Sequence, residues 1–175
     1  MLISVLAAIV FGALIVEARR ASRNERAQLA RGGIEPPGDV YRAMRVIYPL
    51  AFLAMIAEGA ARHGPPSYAV AVAGLAVFAA AKALKWWAIL SLGPSWTFRV
   101  IVVPDAPLVT RGPYRWLRHP NYVGVMGELV GVASMAGAPV SGLAAVTVFG
   151  LLVGRRIAVE KRALDAARRR STTSN

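Results

Sequence analysis

The chain has 175 residues, 56% of them hydrophobic and 17% charged, and its mean hydropathy of +0.49 is too apolar for an ordinary soluble domain, so an integral membrane protein is expected. Lys and Arg number 21 against 9 acids, a formal charge of +12; that would suit nucleic acid, but the hydropathy assigns it instead to membrane topology and anionic headgroups. With no cysteine, disulfides, thiolate metal sites, a Cys nucleophile and lipidation at Cys are excluded, and two distant histidines, His63 and His119, argue against a His-rich metal cluster.

Leu2 to Val16 is a fifteen-residue apolar run closed by Glu17, Arg19 and Arg20, with no basic stretch before it, and reads as a retained first span. Val46 to Ala61 is a second run, interrupted only by Pro49 and Glu58. Tyr68 to Leu90 is a third, long enough to cross a bilayer although Lys82 and Lys85 sit near its end. Tyr122 to Ala136 and Val140 to Gly154 flank Gly137, Ala138 and Pro139 as a short hairpin. At about 22 Å each these two are thin, tilted or partly re-entrant. The expected fold is all-α: a polytopic membrane helical bundle of about five transmembrane helices, residues 1–175 forming one domain.

Basic residues test that count. Residues 19–45 carry seven Lys or Arg, 82–118 six and 155–170 seven, while Arg62 alone falls on the other side. The positive-inside rule places the three basic regions in the cytoplasm and the N-terminus outside, in a multi-pass cell-membrane protein.

Ser91 to Asn121 is far longer than a helix–helix connection needs, and long ordered loops carry function. It contains Leu92-Gly93-Pro94-Ser95-Trp96, Leu108-Val109-Thr110-Arg111-Gly112-Pro113-Tyr114-Arg115 and Leu117-Arg118-His119-Pro120-Asn121-Tyr122. Proline fixes φ and drives the preceding residue out of the helical region, so Gly112-Pro113 and His119-Pro120 predict a stiff pocket wall. Pro120 or Asn121 then starts the fourth span, whose free N–H groups can face an anion.

Together with Glu160, 38 positions after Tyr122, and Arg156 one turn before it, these motifs resemble the isoprenylcysteine carboxyl methyltransferase family over roughly residues 75–164. The resemblance implies an integral membrane O-methyltransferase that uses S-adenosyl-L-methionine, held in a cytoplasm-facing pocket roofed by the loop, with a lipid-like acceptor entering from the bilayer. It implies that Ala106 to Val109 (with Leu108), Tyr114, and His119, Pro120, Asn121 and Tyr122 surround the cofactor. It implies further that Glu160 receives the ammonium group and that Arg156 contacts the acceptor. The residue types suit a ligand with a sulfonium, an ammonium, a carboxylate and an adenine: Glu160 for the ammonium, Arg118, His119 or backbone N–H groups for the carboxylate, and Tyr114, Tyr122 or Trp96 as aromatic cover. The chain departs from the family's usual pattern in Lys161 beside Glu160, in Arg99 where Gln is frequent, and in its Arg-rich tail.

Ionisable groups inside a span are costly and are functional candidates by default. Glu128 reads either as a general base or acceptor-orienting group, or as a packing ion pair with Lys82 or Lys85; Glu58 reads as structural, paired with Arg62 at i+4. Trp86 and Trp87 fit an interfacial belt, Trp96 and Trp116 either a belt or a pocket wall, Trp96 being the candidate on the acceptor side. Gly124 and Gly127 suit close helix packing, and His63 an outer loop. The acceptor is a prenylcysteine-like carboxylate or a long-chain phenol or pyrone, and a phenol asks more of Glu128 or His119 because it must lose a proton. Two other classes compete: an NADPH-dependent reductase of the related membrane sterol-reductase type, for which Arg99, Arg111 and Arg115 offer cations, and a non-catalytic scaffold. No nucleic acid is expected, and no Walker loop, Rossmann fingerprint or inverted repeat stands out.

Overall fold

The computed structural model describes residues 2–62, 64–104, 106–107 and 109–173, and within these the side chains of 4–166; His63 and Leu108 lie outside the described residues. Every regular element among them is helical: α1 Leu2–Ala30, α2 Tyr41–Ala61, α3 Tyr68–Leu92, α4 Pro120–Ala136 and α5 Pro139–Thr173, with 3-10 turns at Gly93–Ser95 and Gly112–Arg115. An isolated antiparallel bridge joins Ile34 to Val102.

Two helices outrun their apolar segments. The first run does not stop at Val16: α1 continues through its Arg, Glu and Gln residues to Ala30. α5 likewise passes Gly154 and reaches Thr173 as a 35-residue helix. In both, the polar half is rich in the good helix formers Ala, Arg and Glu and has no proline or glycine. What ends α1 is the Gly32-Gly33 pair, where Gly32 has φ 80°. Among the described residues, three helical stretches are long and apolar enough by themselves to cross a membrane, 41–61, 68–95 and 139–166, so three of the five expected spans meet that test. α4 has 17 residues, about 26 Å at the helical rise, short of a hydrocarbon core about 30 Å thick.

The apolar residues are distributed as a bilayer requires. Ile9, Ile15, Leu50, Leu53, Leu75, Val123, Val130, Leu143 and Leu151 lie on the outer surface, so each helix shows apolar side chains outward. Inside, Phe52, Met55, Leu129 and Val132 are buried and meet Leu6 and Val10 of α1 and Phe149 and Val153 of α5. A smaller cluster of Ala21, Ile89 and Trp96 ties α1 and α3 to the start of the loop.

α3 and α4 approach almost backbone to backbone. A Cβ at Gly124 would lie 2.9 Å from Cβ of Lys85, and one at Gly131 would lie 2.7 Å from Cβ of Phe78. Only glycine allows this spacing, the small-residue logic of membrane helices. The α4–α5 hairpin turns on Gly137, left-handed at φ 64° and ψ 39°, whose successor Ala138 donates to the Ala133 carbonyl at 2.9 Å. Glu58 of α2 accepts hydrogen bonds from the Val140 and Ser141 backbone N–H groups at 3.2 and 2.7 Å and from the Ser141 hydroxyl at 2.6 Å. Its ion pair with Arg62, at 3.7 Å, is the weaker part of that role. Glu58 is thus structural, as the first turn of α5 leaves N–H groups free and favours a negative charge.

A charge quartet links α1, α3 and α4 through the core. Lys82 Nζ lies 2.9 Å from Glu17 and 3.0 Å from Glu128, and Lys85 Nζ lies 2.6 Å from Glu17 and 3.3 Å from Glu128. Tyr48 of α2 donates its hydroxyl to Glu128 and closes the group. Two cations and two anions cancel, which is what allows the group to sit in an apolar bundle.

Candidate active site

Three elements converge at one end of the bundle: the junction between the loop and α4, the middle of α5, and the segment before α2. His119 occupies the N-cap position of α4 with φ −133° and ψ 60°, and Pro120 starts the helix, its missing N–H being one the first turn leaves unbonded anyway. This fixes the His119 ring beside the axis of α4, where it stacks on Tyr122 at a centroid distance of 5.4 Å and 21° between planes.

α5 brings Arg156 and Glu160, one helical turn apart, to the same place. Glu160 Oε2 lies 4.0 Å from His119 Nδ1, and both side chains are about one-third exposed. Arg156 is buried. Its Nε donates to the Tyr122 hydroxyl at 2.8 Å, and its Nη1 faces Asp39 Oδ1 at 3.4 Å and Met44 Sδ at 3.9 Å. Tyr114 stands on the 3-10 turn Gly112–Arg115; burial pushes its hydroxyl pKa above the ordinary value and the negative charge of Glu160 adds to the shift. Tyr114 therefore remains a neutral phenol through the physiological range.

The loop is anchored from below and from the side. Gly112, at φ 61°, packs against Ser91 and the Trp87 indole, and Arg111 Nε donates to the Ser91 carbonyl at 3.0 Å. Trp96 is 3% exposed, packed at 5.3 Å against Phe98, and its indole N–H donates to Asn121 Oδ1 at 3.3 Å. Its ring is thus occupied by packing, and it reaches the site through Asn121. Arg118 is exposed, and Val109 and Asn121 are half-buried. Glu128 is 1% exposed and engaged by Lys82, Lys85 and Tyr48, the ion-pair alternative of the sequence reading. Arg99 is held by Glu35 at 2.6 Å and Glu25 at 3.3 Å.

Sequence reasoning missed a second set of residues. Asn24 donates to the carbonyls of Gly93 and Trp96 at 3.1 and 2.7 Å, and Gln28 to that of Pro94 at 2.8 Å. Glu25 accepts from the backbone N–H of Phe98 and Arg99 at 3.1 and 3.2 Å, and Asp39 Oδ2 from that of Val100 at 2.9 Å. The polar half of α1 and the segment after it therefore supply the hydrogen bonds that an irregular loop cannot make to itself. The signal was present as a stripe, Glu17, Ala21, Asn24 and Gln28, on one face at helical spacing.

A part-exposed carboxylate, a stacked imidazole and phenol, and a buried guanidinium one turn away thus stand together, groups whose chemistry can meet ammonium, sulfonium and carboxylate functions. Residues 66–166 match the model of the family described as Isoprenylcysteine carboxyl methyltransferase (ICMT), and the chain belongs to that family. Membership makes it a membrane protein of the methyltransferase class. Among relatives, the protein named Uncharacterized protein YpbQ of Bacillus subtilis (strain 168) is 33% identical over 83% of this chain and 86% of its own length. A Haemophilus influenzae protein, named only Uncharacterized protein, is 24% identical over 82% and 83%. No solved structure matches the chain.

Proposed function

We propose that the chain is an S-adenosylmethionine-dependent O-methyltransferase acting on a lipophilic acceptor, a prenylcysteine-like carboxylate or a long-chain phenol or pyrone. The observation that carries this reading is the meeting of Glu160 and His119, 4.0 Å apart, beside the Tyr122–Arg156 pair. Members of the family use S-adenosylmethionine, and the residues here fit it: Glu160 has an accessible edge for the ammonium, while Arg118 and the free N–H groups at the start of α4 suit the carboxylate. The faces of His119, Tyr122 and Tyr114 suit a sulfonium or adenine, Val109, Pro120 and Asn121 completing the wall.

When bound, the cofactor supplies an electrophilic methyl group, which passes to an acceptor oxygen and leaves a neutral thioether. The protein's contribution is placement and exclusion of water. Arg156 orients the acceptor; Tyr122 holds its Nε and Asp39 its Nη1. An ionised carboxylate acceptor then needs no base, and a phenol has His119 as the nearest imidazole. Glu128, with its oxygens committed to Lys82, Lys85 and Tyr48, serves the bundle rather than the proton.

The remaining features follow the same reading. α1 and α4 join the other three helices in the bilayer, the loop faces the cytoplasm, and residues 1–175 act as one domain with the N-terminus outside.

Binding of S-adenosylhomocysteine to the purified protein in detergent, measured by calorimetry, tests the assignment. Glu160→Ala and His119→Ala each weaken binding about tenfold or more, the worth of a charge-assisted contact. Arg156→Ala leaves that affinity within about threefold and impairs acceptor use instead. Unchanged affinity in Glu160→Ala, or tight binding of NADPH in place of S-adenosylhomocysteine, would overturn it.

A further inference from the structure

Asp39 lies outside the stretch that matches the family, yet its carboxylate is shared among three parts of the molecule. Oδ1 accepts from the Tyr41 backbone N–H at 3.1 Å, which fixes the start of α2, and faces Arg156 Nη1 at 3.4 Å; Oδ2 accepts from the Val100 N–H at 2.9 Å, which fixes the loop. Its side chain is 14% exposed and that of Arg156 8%, so water replaces neither contact readily. A guanidinium has five N–H donors in a planar fork, and fixing two of its nitrogens fixes the plane and the direction of the third. Tyr122 fixes Nε, Asp39 fixes Nη1, and Nη2 makes no hydrogen bond to a described residue. Without Asp39, Nη1 keeps only the weak contact to Met44 Sδ, and the fork can swing about the Nε–Tyr122 bond.

We propose that Asp39 is a positioning residue for the reaction: it locks the Arg156 fork with Nη2 free for the acceptor oxygen, and ties that orientation to closure of the loop through Val100. The inference rests on the acceptor role of Arg156 proposed above. Charge enters as well, because an Arg156 already paired with Asp39 presents less net positive charge. Asp39 therefore moderates the preference for anionic over neutral acceptors as well as setting the pose.

The test uses the full chain in nanodiscs and two readouts. Proton exchange at the Arg156 Nε–H is followed by nitrogen-15 arginine NMR, the signal being identified by its loss in Arg156→Lys. Methyl transfer is followed with labelled S-adenosylmethionine and two acceptor probes, S-farnesylcysteine and a pentadecyl resorcinol. In Asp39→Asn the Arg156 Nε–H exchanges about tenfold faster or more, S-adenosylhomocysteine affinity stays within about twofold, and KM for the accepted probe rises about tenfold with a smaller change in kcat. The same variant shifts the ratio of kcat/KM between the two probes toward the carboxylate. Glu25→Gln is the control for a merely structural effect: it loosens Phe98 and Arg99 without touching Arg156, and leaves KM within about twofold. An unchanged exchange rate in Asp39→Asn overturns the proposal whatever the activity, as does an equal rise in KM in Glu25→Gln. If neither probe is methylated while S-adenosylhomocysteine binds, the acceptor reading fails, and the exchange rate still decides whether Asp39 locks Arg156.

Discussion

Lys85 is the side chain most dependent on its surroundings: 2% exposed, it lies 2.6 Å from Glu17 and 3.3 Å from Glu128, with its Nζ 5.3 Å from the centre of the Tyr48 ring. Glu17 Oε2 and Glu128 Oε1 make no well-directed hydrogen bond but lie 2.6 and 3.0 Å from a lysine nitrogen, so Coulomb attraction holds them. Removing one partner of such a group leaves a buried charge uncompensated and costs about 3–5 kcal/mol. Lys85→Met should therefore lower the melting temperature in detergent sharply, and Lys85→Met combined with Glu17→Gln should recover part of the loss because the charges again cancel. A double variant no more stable than the single one would show that packing, not charge balance, sets the cost. From sequence, Glu128 already offered Lys82 or Lys85 as partners. Glu17 and Tyr48 were out of reach because Glu17 lies 65 positions from Lys82 and Tyr48 lies 80 positions from Glu128, and no local period connects them. The two lysines also leave the tally of cytoplasmic charge, since they face inward.

At the level of elements, apolar runs located every helix, but their ends were set by chemistry those runs do not contain. The polar half of α1 looked like loop because charge was read as solvation, while that of α5 was read as helix around Arg156 and Glu160 and as tail only at its Arg-rich end; inward-facing Glu25 and Gln28 of α1 find partners only in the distant loop. The last hairpin was legible in Gly137-Ala138-Pro139, whereas the support it receives from Glu58 was not. Glu58→Ala removes the acceptor of two backbone N–H groups and a hydroxyl of the first turn of α5, and should lower the unfolding temperature. The measurement is thermal unfolding followed by near-ultraviolet circular dichroism. Glu58→Gln, which keeps an acceptor, should lose less; equal losses would point to charge alone. The candidate site was legible for a different reason: proline and glycine marked the loop as a stiff wall, and the resemblance of its motifs to a known family, not a local rule, singled out His119, Tyr122, Arg156 and Glu160 before their meeting was seen.

At the scale of the whole molecule, the proposed topology can be tested directly because the chain has no cysteine and any introduced thiol is unique. Pro65→Cys, between α2 and α3, should react with an impermeant maleimide on intact cells; Arg26→Cys and Arg162→Cys, both at exposed positions, should react only after permeabilisation. The opposite pattern would invert the orientation and place the site on the far side of the membrane.

The charge quartet also bears on how the bundle is made. A ribosome delivers α1 with Glu17 first, then α3 with Lys82 and Lys85, and only later α4 with Glu128. Until that last carboxylate arrives, two ammonium groups share a single counter-ion, and a nascent chain halted before α4 carries an unbalanced positive charge at a depth where lipid tolerates it poorly. Electrical neutrality at this depth is thus reached only once the segment that begins with the site's own histidine and tyrosine has joined the earlier helices.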